Sequence, residues 1–254
     1  TAPATAPATA PATAAASAVP AAAVAPPPRK PSEMVPKQVD TRAGSGVAWG
    51  DAYGALYYRT CREAPRTKVA GFDMDGTLYR WTCRNWPSAL TDYALWSERV
   101  LTKLRECHES GYKVVIFGNR GQIKKAFGGK NAEKTRWLVN WLAQEAGVPI
   151  HAMFATKKDD GQFSKPSIGM WTAMEKHANG GVAVDPAASF FVGDMAGREG
   201  DVGRSDLEFA LGVGQARGVT MRFETPEQCF GPAAGSHNAS GGGGGGGGGV
   251  SGGA

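Results

Sequence analysis

The sequence predicts an α/β protein with a doubly wound, mostly parallel sheet, built as a single domain over residues 46–231. Three observations carry that prediction. Short apolar runs rich in Val, Ile and Phe alternate with helical patterns between residues 68 and 223, the rhythm of βαβ units. Gly or Asn closes the helical stretches, as expected where a helix must end. Polar residues able to do chemistry stand directly after several of the apolar runs, where parallel sheets place their ligands.

The elements follow in order. Residues 46–67, with Trp49, Leu56, Tyr57 and Tyr58, read as a lead-in that packs on the core. Residues 68–73 form a first buried strand, and Gly76 lets the chain turn after it. Residues 79–96 hold Trp81, Trp86, Tyr93 and Trp96 among polar neighbours without a clean period, and read as an aromatic-rich loop, either self-anchored or facing substrate. A helix is expected over 97–110, with Ser97 as cap and Gly111 as stop. Lys113–Phe117 is a second strand, broken by Gly118-Asn119-Arg120-Gly121. A helix over 132–146 follows, capped by Asn131, faced by Trp137, Leu138, Trp141 and Leu142, and closed by Gly147. The third strand is 149–155. Lys165-Pro166 is expected to start a helix with Met170, Trp171 and Met174 as its buried stripe. The fourth strand, 188–192, ends at Gly193-Asp194. Ser205-x-x-Glu208 reads as a capping box opening a helix to Leu211, and 219–223 as a last strand.

Composition bounds the rest. Residues 1–45 form an Ala/Pro/Thr-rich leader that opens on a TAPA repeat, and residues 232–254 contain nine consecutive glycines. Neither segment has apolar surface to bury, so both are expected to be disordered. A chain that starts with Thr reads as a processed or trimmed product. No apolar run approaches the length of a membrane span, and the start lacks the apolar core of a secretion signal. An acid-poor leader of this kind is compatible with an organelle transit segment or a plain linker. The net charge is +5, which is compatible with a polyanionic partner and proves none. Four cysteines (Cys61, Cys83, Cys107 and Cys229) without a C-x-x-C pair argue against a zinc site and for a reducing compartment.

Asp73 and Asp75 stand at i and i+2 after the first strand, a spacing that aims both side chains one way. Two carboxylates so close ask for a counter-ion. Hard oxygen ligands make magnesium the economical choice. Asn119, Lys165 and Asp194 then follow the second, third and fourth strands. Together these positions describe a phosphate and metal site.

The stretch D-x-D-G-T-L behind an apolar strand resembles the haloacid-dehalogenase superfamily, whose phosphatases use the first aspartate as a nucleophile toward phosphorus. That resemblance implies Asp73 as nucleophile, Asp75 as acid and base, and Lys165 as the cation that offsets phosphoryl charge. Asp73, Asp75 (through its carbonyl) and Asp194 would hold Mg2+. Asp201 and Asp206 are candidates for support around the metal, with Asp206 equally readable as a first-turn acid of its helix.

The match sharpens further. Residues 69–78, 111–119, Lys165-Pro166-x-x-Gly169-Met170-Trp171, Gly193-Asp194-x-Ala196-Gly197-Arg198 and 205–214 are similar to the 3′-phosphatase domain of polynucleotide kinase/phosphatase. The likeness runs from about 47 to 230. It implies removal of a 3′-phosphate from a DNA strand end in single-strand-break repair, in the nucleus or alternatively an organelle. Asn119, Gly118 and Arg198 become substrate-binding candidates, with Lys124, Lys125, Lys130 and Arg136 as backbone contacts for DNA. A monomer is expected, with repair-protein partners reached through the tails. Two departures stand out. The family places Thr where this chain has Gly118, a lost hydrogen bond to a charged group worth roughly 1.5–3 kcal/mol. The stretch after Arg198 also lacks the family's basic run. These departures motivate an alternative: a weakened phosphatase fold serving as a binding component. No G-x-x-x-x-G-K-[ST] occurs, so no kinase half is expected in this chain.

Overall fold

A computed structural model describes residues 46–124 and 128–235. The leader, residues 236–254 of the glycine-rich tail and Lys125 lie outside the described residues. Nine strands are described: β1 (Val47–Ala52), β2 (Leu56–Cys61), β3 (Val69–Phe72), β4 (Tyr79–Trp81), β5 (Tyr93–Leu95), β6 (Lys113–Arg120), β7 (Ile150–Thr156), β8 (Phe190–Val192) and β9 (Arg222–Glu224). The helices are α1 (Arg99–Glu109), α2 (Lys130–Ala146), α3 (Gly169–Ala178), α4 (Ser205–Gln215) and α5 (Pro226–Phe230).

The main sheet has seven strands in the order β1-β2-β7-β6-β3-β8-β9. The five from β7 to β9 run parallel, and β1 and β2 add an antiparallel edge. The chain winds outward from β3 through β6 to β7, then crosses back to β8 on the other side. The carboxyl end of β3 is therefore the topological switch point, where open α/β sheets leave a crevice.

Alternation along the strands sorts the core into two layers. Ala70, Phe72, Val114, Ile116, Ile150, Ala152, Phe154, Phe190 and Val192 face α1, α2 and α5. Val69, Val115, Phe117, Met153, Ala155 and Phe191 face α3 and α4, meeting Met170, Trp171, Met174 and Phe209. Trp141 is buried and Trp137 half-buried against the first layer, their rings parallel at 6.4 Å.

Several boundaries differ from the sequence reading. The lead-in is a hairpin, β1 and β2, and the aromatic loop contains a second hairpin, β4 and β5. Gly118-Asn119-Arg120 does not break β6; it stays paired with Phe154, Ala155 and Thr156 of β7. Asn131 lies inside α2, whose cap is Gly129, and its side chain donates to the Gln122 carbonyl. Pro166 lies before α3, which starts at Gly169. Ser205 is the first residue of α4 and makes no cap bond; Glu208 pairs with Arg204 instead. The helix runs to Gln215, and the last strand begins at Arg222. Gly147 does close α2 in the left-handed conformation, and all four cysteines are free thiols.

At the amino ends of the parallel strands, Glu63 ties the sheet together. Its Oε2 lies 2.9 Å from Lys113 Nζ and 3.0 Å from His151 Nε2, both fully buried, and its Oε1 lies 3.0 Å from Arg66 Nε. Burial alone would push this carboxyl up, yet hydrogen bonds from His151 and Lys113 bring it down to about 2. A carboxyl depressed in the fold stabilises it above its unfolded value and loses that contribution as pH falls toward the folded one. Urea denaturation should therefore show roughly 3 kcal/mol of Glu63-linked stability disappearing between pH 4.5 and 2. Glu63→Gln should remove that slope and lower stability at pH 7. An unchanged slope in the variant would reject the assignment.

Candidate active site

The carboxyl ends of β3, β6 and β8 and the loop after β7 enclose a cavity of about 730 Å³. Asp73 follows β3 and is buried, its amide fixed by donation to the Val192 carbonyl at 2.8 Å. Lys165 reaches in from the loop after β7. Its Nζ lies 2.6 Å from Asp73 Oδ1 and 2.6 Å from Asp206 Oδ1. Asn119, at the end of β6, holds the Lys165 backbone from both sides: Lys165 N donates to Asn119 Oδ1 at 2.8 Å, and Asn119 Nδ2 donates to the Lys165 carbonyl at 3.0 Å.

Asp194 follows β8, and Asp206 comes from the first turn of α4. Met195 N donates to Asp206 Oδ2 at 3.1 Å, which fixes the buried carboxylate in the cavity wall. Glycines make room for these acids. A Cβ on Gly76, whose φ is +78°, would come within 2.4 Å of Asp194 Oδ2. One on Gly193 would meet Asp206 Oδ2 at 2.4 Å.

One oxygen from each of Asp73, Asp194 and Asp206 lies within 4.8 Å of the others. Three carboxylates against one ammonium leave negative charge unbalanced. Burial, then repulsion from Asp206 and Asp194, holds the Asp73 carboxyl well above its usual range despite Lys165. Burial and Asp206 raise Asp194 to about 6. Burial opposes the charge on Lys165, but Asp206 and Asp73 more than offset it and raise its pKa. An all-oxygen donor set with surplus negative charge fits a hard divalent cation such as magnesium.

Asp75 stands apart from that trio. Arg120, a buried residue at the end of β6, grips both its oxygens, with Nη1 2.7 Å from Oδ2 and Nη2 3.2 Å from Oδ1. Arg120 also packs at 5.9 Å from the Phe154 ring. Asp73, Asp75, Gly118, Asn119, Lys165 and Asp194 all line the cavity. Arg198 does not; it is bound to Asp201, Glu227 and the Asp194 carbonyl. Lys124 and Lys130 are absent from the lining, and Arg136 donates to the Tyr57 hydroxyl at 2.8 Å. Asp201 is taken by Arg198 and by the amides of Ala196 and Arg198. Sequence reasoning passed over Arg120 because it took residues 118–121 for a strand break; continuing the β6 pattern to Arg120 would have found it.

With this geometry in place, the family comparison decides the kinship: the polynucleotide kinase 3 phosphatase family matches residues 68–230. The chain belongs to this family. It is 34% identical over 180 residues to a polynucleotide 3′-phosphatase of Arabidopsis thaliana, covering 66% of this chain and 25% of that protein. It is 32% identical over 178 residues to a bifunctional polynucleotide phosphatase/kinase of Schizosaccharomyces pombe, covering 69% of this chain and 41% of that one. An uncharacterized 20.8 kDa protein of Autographa californica nuclear polyhedrosis virus is 33% identical over 172 residues, covering 65% of this chain and 86% of that protein. The chain thus spans less than half the length of the first two relatives.

Two outcomes test the site. A carboxyl raised in the fold costs stability, and the cost grows as pH climbs from its unfolded to its folded value. Asp194→Asn should therefore raise the melting temperature in chelator at pH 7.5 and abolish the upward shift that magnesium gives the parent; equal magnesium shifts in both would exclude Asp194 from cation binding. At position 118, an added Cβ would sit 3.0 Å from two ring carbons of the buried Phe154. Restoring the family's threonine by Gly118→Thr should consequently destabilise the fold by about 1–3 kcal/mol, measured by urea denaturation, and should not by itself raise activity.

Proposed function

We propose that this protein hydrolyses 3′-phosphates at DNA strand ends, as a polynucleotide 3′-phosphatase acting in strand-break repair in the nucleus or an organelle. The observation that supports this reading most directly is the Lys165 ammonium set 2.6 Å from both Asp73 and Asp206, with Asp194 alongside, in one cavity. The names of the plant and yeast relatives point to the same class of substrate.

Asp73 would attack phosphorus in line, forming the bond of an aspartyl-phosphate as the bond to the 3′-oxygen breaks. Asp75 would give the departing oxygen its proton, leaving a 3′-hydroxyl, and then take a proton from the water that releases inorganic phosphate. Arg120 orients the Asp75 carboxylate that takes the water proton; to carry the proton that goes to the 3′-oxygen, Asp75 would have to release one of its two guanidinium contacts. Lys165 offsets the phosphoryl charge beside the nucleophile. Asn119 would act through Lys165, whose backbone it fixes. Magnesium held by Asp73, Asp194 and Asp206, with the Asp75 carbonyl as a further ligand, would supply the neutralisation that lets an anion approach a carboxylate. Gly118 and Asn119 line the cavity, Gly118 at the position where the resemblance places a threonine.

Purified protein with magnesium should release phosphate from a 3′-phosphorylated oligonucleotide and leave a panel of sugar phosphates intact. Asp73→Asn should reduce that release to background. Turnover of sugars alone would assign a small-molecule phosphatase, and no turnover of either would favour a binding component that has kept the fold.

A further inference from the structure

The cavity that holds Asp73 has a second wall, built by the β4–β5 hairpin rather than by the main sheet. Arg80, Trp81 and Trp86 line it. Arg80 Nε and Trp81 Nε1 are both shielded from solvent, and neither has a hydrogen-bond partner among the described residues. Buried N–H groups are nearly always paired, so two orphans on neighbouring residues of one wall call for an acceptor brought by something else. The chemistry of that acceptor is narrow. An indole nitrogen can only donate, and a guanidinium carries a permanent charge and donates in a planar fork. Donors of this kind favour an anionic oxygen over a neutral one.

The two walls divide the cavity's work. Asp73, Lys165, Asp194 and Asp206 form the end suited to a cation and a phosphoryl group. Arg80 and Trp81 stand outside that cluster, with no acidic partner among the salt bridges of the described residues. The Trp86 ring packs on Trp81 at 4.8 Å and is itself 68% exposed, so it covers the indole on the solvent side. A simple phosphate ester would occupy the acidic end and leave both donors unmet. A polynucleotide end brings a second anion one linkage away from the scissile group.

We propose that Arg80 and Trp81 bind a non-bridging oxygen of the internucleotide phosphodiester next to the 3′-phosphate, so that the favoured leaving group is a nucleotide chain and not a lone nucleoside. This inference rests on the phosphatase reading above and deepens it to the identity of the leaving group.

The test compares kcat/KM in magnesium on four substrates. They are a 3′-phosphorylated oligonucleotide, the same strand with its last linkage replaced by uncharged methylphosphonate, a nucleoside 3′-phosphate and p-nitrophenyl phosphate. Neutralising the last linkage should cost the parent protein about 10- to 100-fold, the size of a lost hydrogen bond to a charged group. Arg80→Gln should lose a comparable factor on the native strand and little more on the methylphosphonate. Trp81→Phe, which keeps the ring and removes only the donor, should lose a smaller factor with the same lack of additivity. In both variants the loss on p-nitrophenyl phosphate should be several times smaller. A neutral linkage tolerated by the parent within about twofold, or equal losses by Arg80→Gln on all four substrates, would overturn the subsite while leaving the polynucleotide reading intact. A parent that hydrolyses p-nitrophenyl phosphate but not the 3′-phosphorylated strand would overturn the polynucleotide reading itself, and this subsite with it.

Discussion

The site hangs on one ammonium group. Lys165 is buried between Asp73 and Asp206, 2.6 Å from each, and neither acid has another cation so close among the described residues. Burying a lysine is costly unless partners compensate, and here two carboxylates do so at once. The arrangement also needs its backbone fixed, because Lys165 comes from a loop rather than a strand. Asn119 supplies that, docking the loop onto the end of β6 through two hydrogen bonds. Removing one partner would leave a charge stranded in the interior, so packing and chemistry share these residues.

The opposite end of the sheet obeys a different rule. Around Glu63 the charges balance well enough to hold the carboxyl low, and the cluster serves the fold. Around Asp73 they do not balance, and the acids are held high. Charge surplus at one end and near-neutrality at the other separate a site from a scaffold, although both are buried and both centre on a lysine. Arg120 lies between these cases. It satisfies Asp75 completely enough to keep that carboxylate out of the cation cluster, which ties the end of β6 to the turn after β3.

What could be read from the sequence followed period and position. Four of the five parallel strands, β3, β6, β7 and β8, were legible because each is built on a short apolar run whose alternate residues meet opposite layers, as Val114 and Val115 do; β9, Arg222-Phe223-Glu224, is not such a run and was placed early. Asp73, Asn119, Lys165 and Asp194 were legible because each follows one of those runs. The β1–β2 hairpin was not, since its mixed polar and aromatic residues half-face solvent and carry no long apolar run. Gly118 looked like a terminator, but it is flat against Phe154 in a strand that continues. Asp206 could be read equally as a first-turn acid or as part of the site, because only the crossing of α4 over β8 brings it beside Lys165. Arg80 and Trp81 gave no signal at all: their role depends on hydrogen bonds they do not make.

The glycines at 76 and 193 carry a last implication. Each is where it is because a carboxylate oxygen from a distant part of the chain already occupies the space a side chain would need. They are casts of Asp194 and Asp206 taken in the backbone. Converting Asp194 to alanine would vacate the mould at 76, but at 193 the Asp206 Cβ itself would lie 2.5 Å from an added methyl, so Asp206→Ala would leave that position closed. Position 76 would still carry the strain of its positive φ.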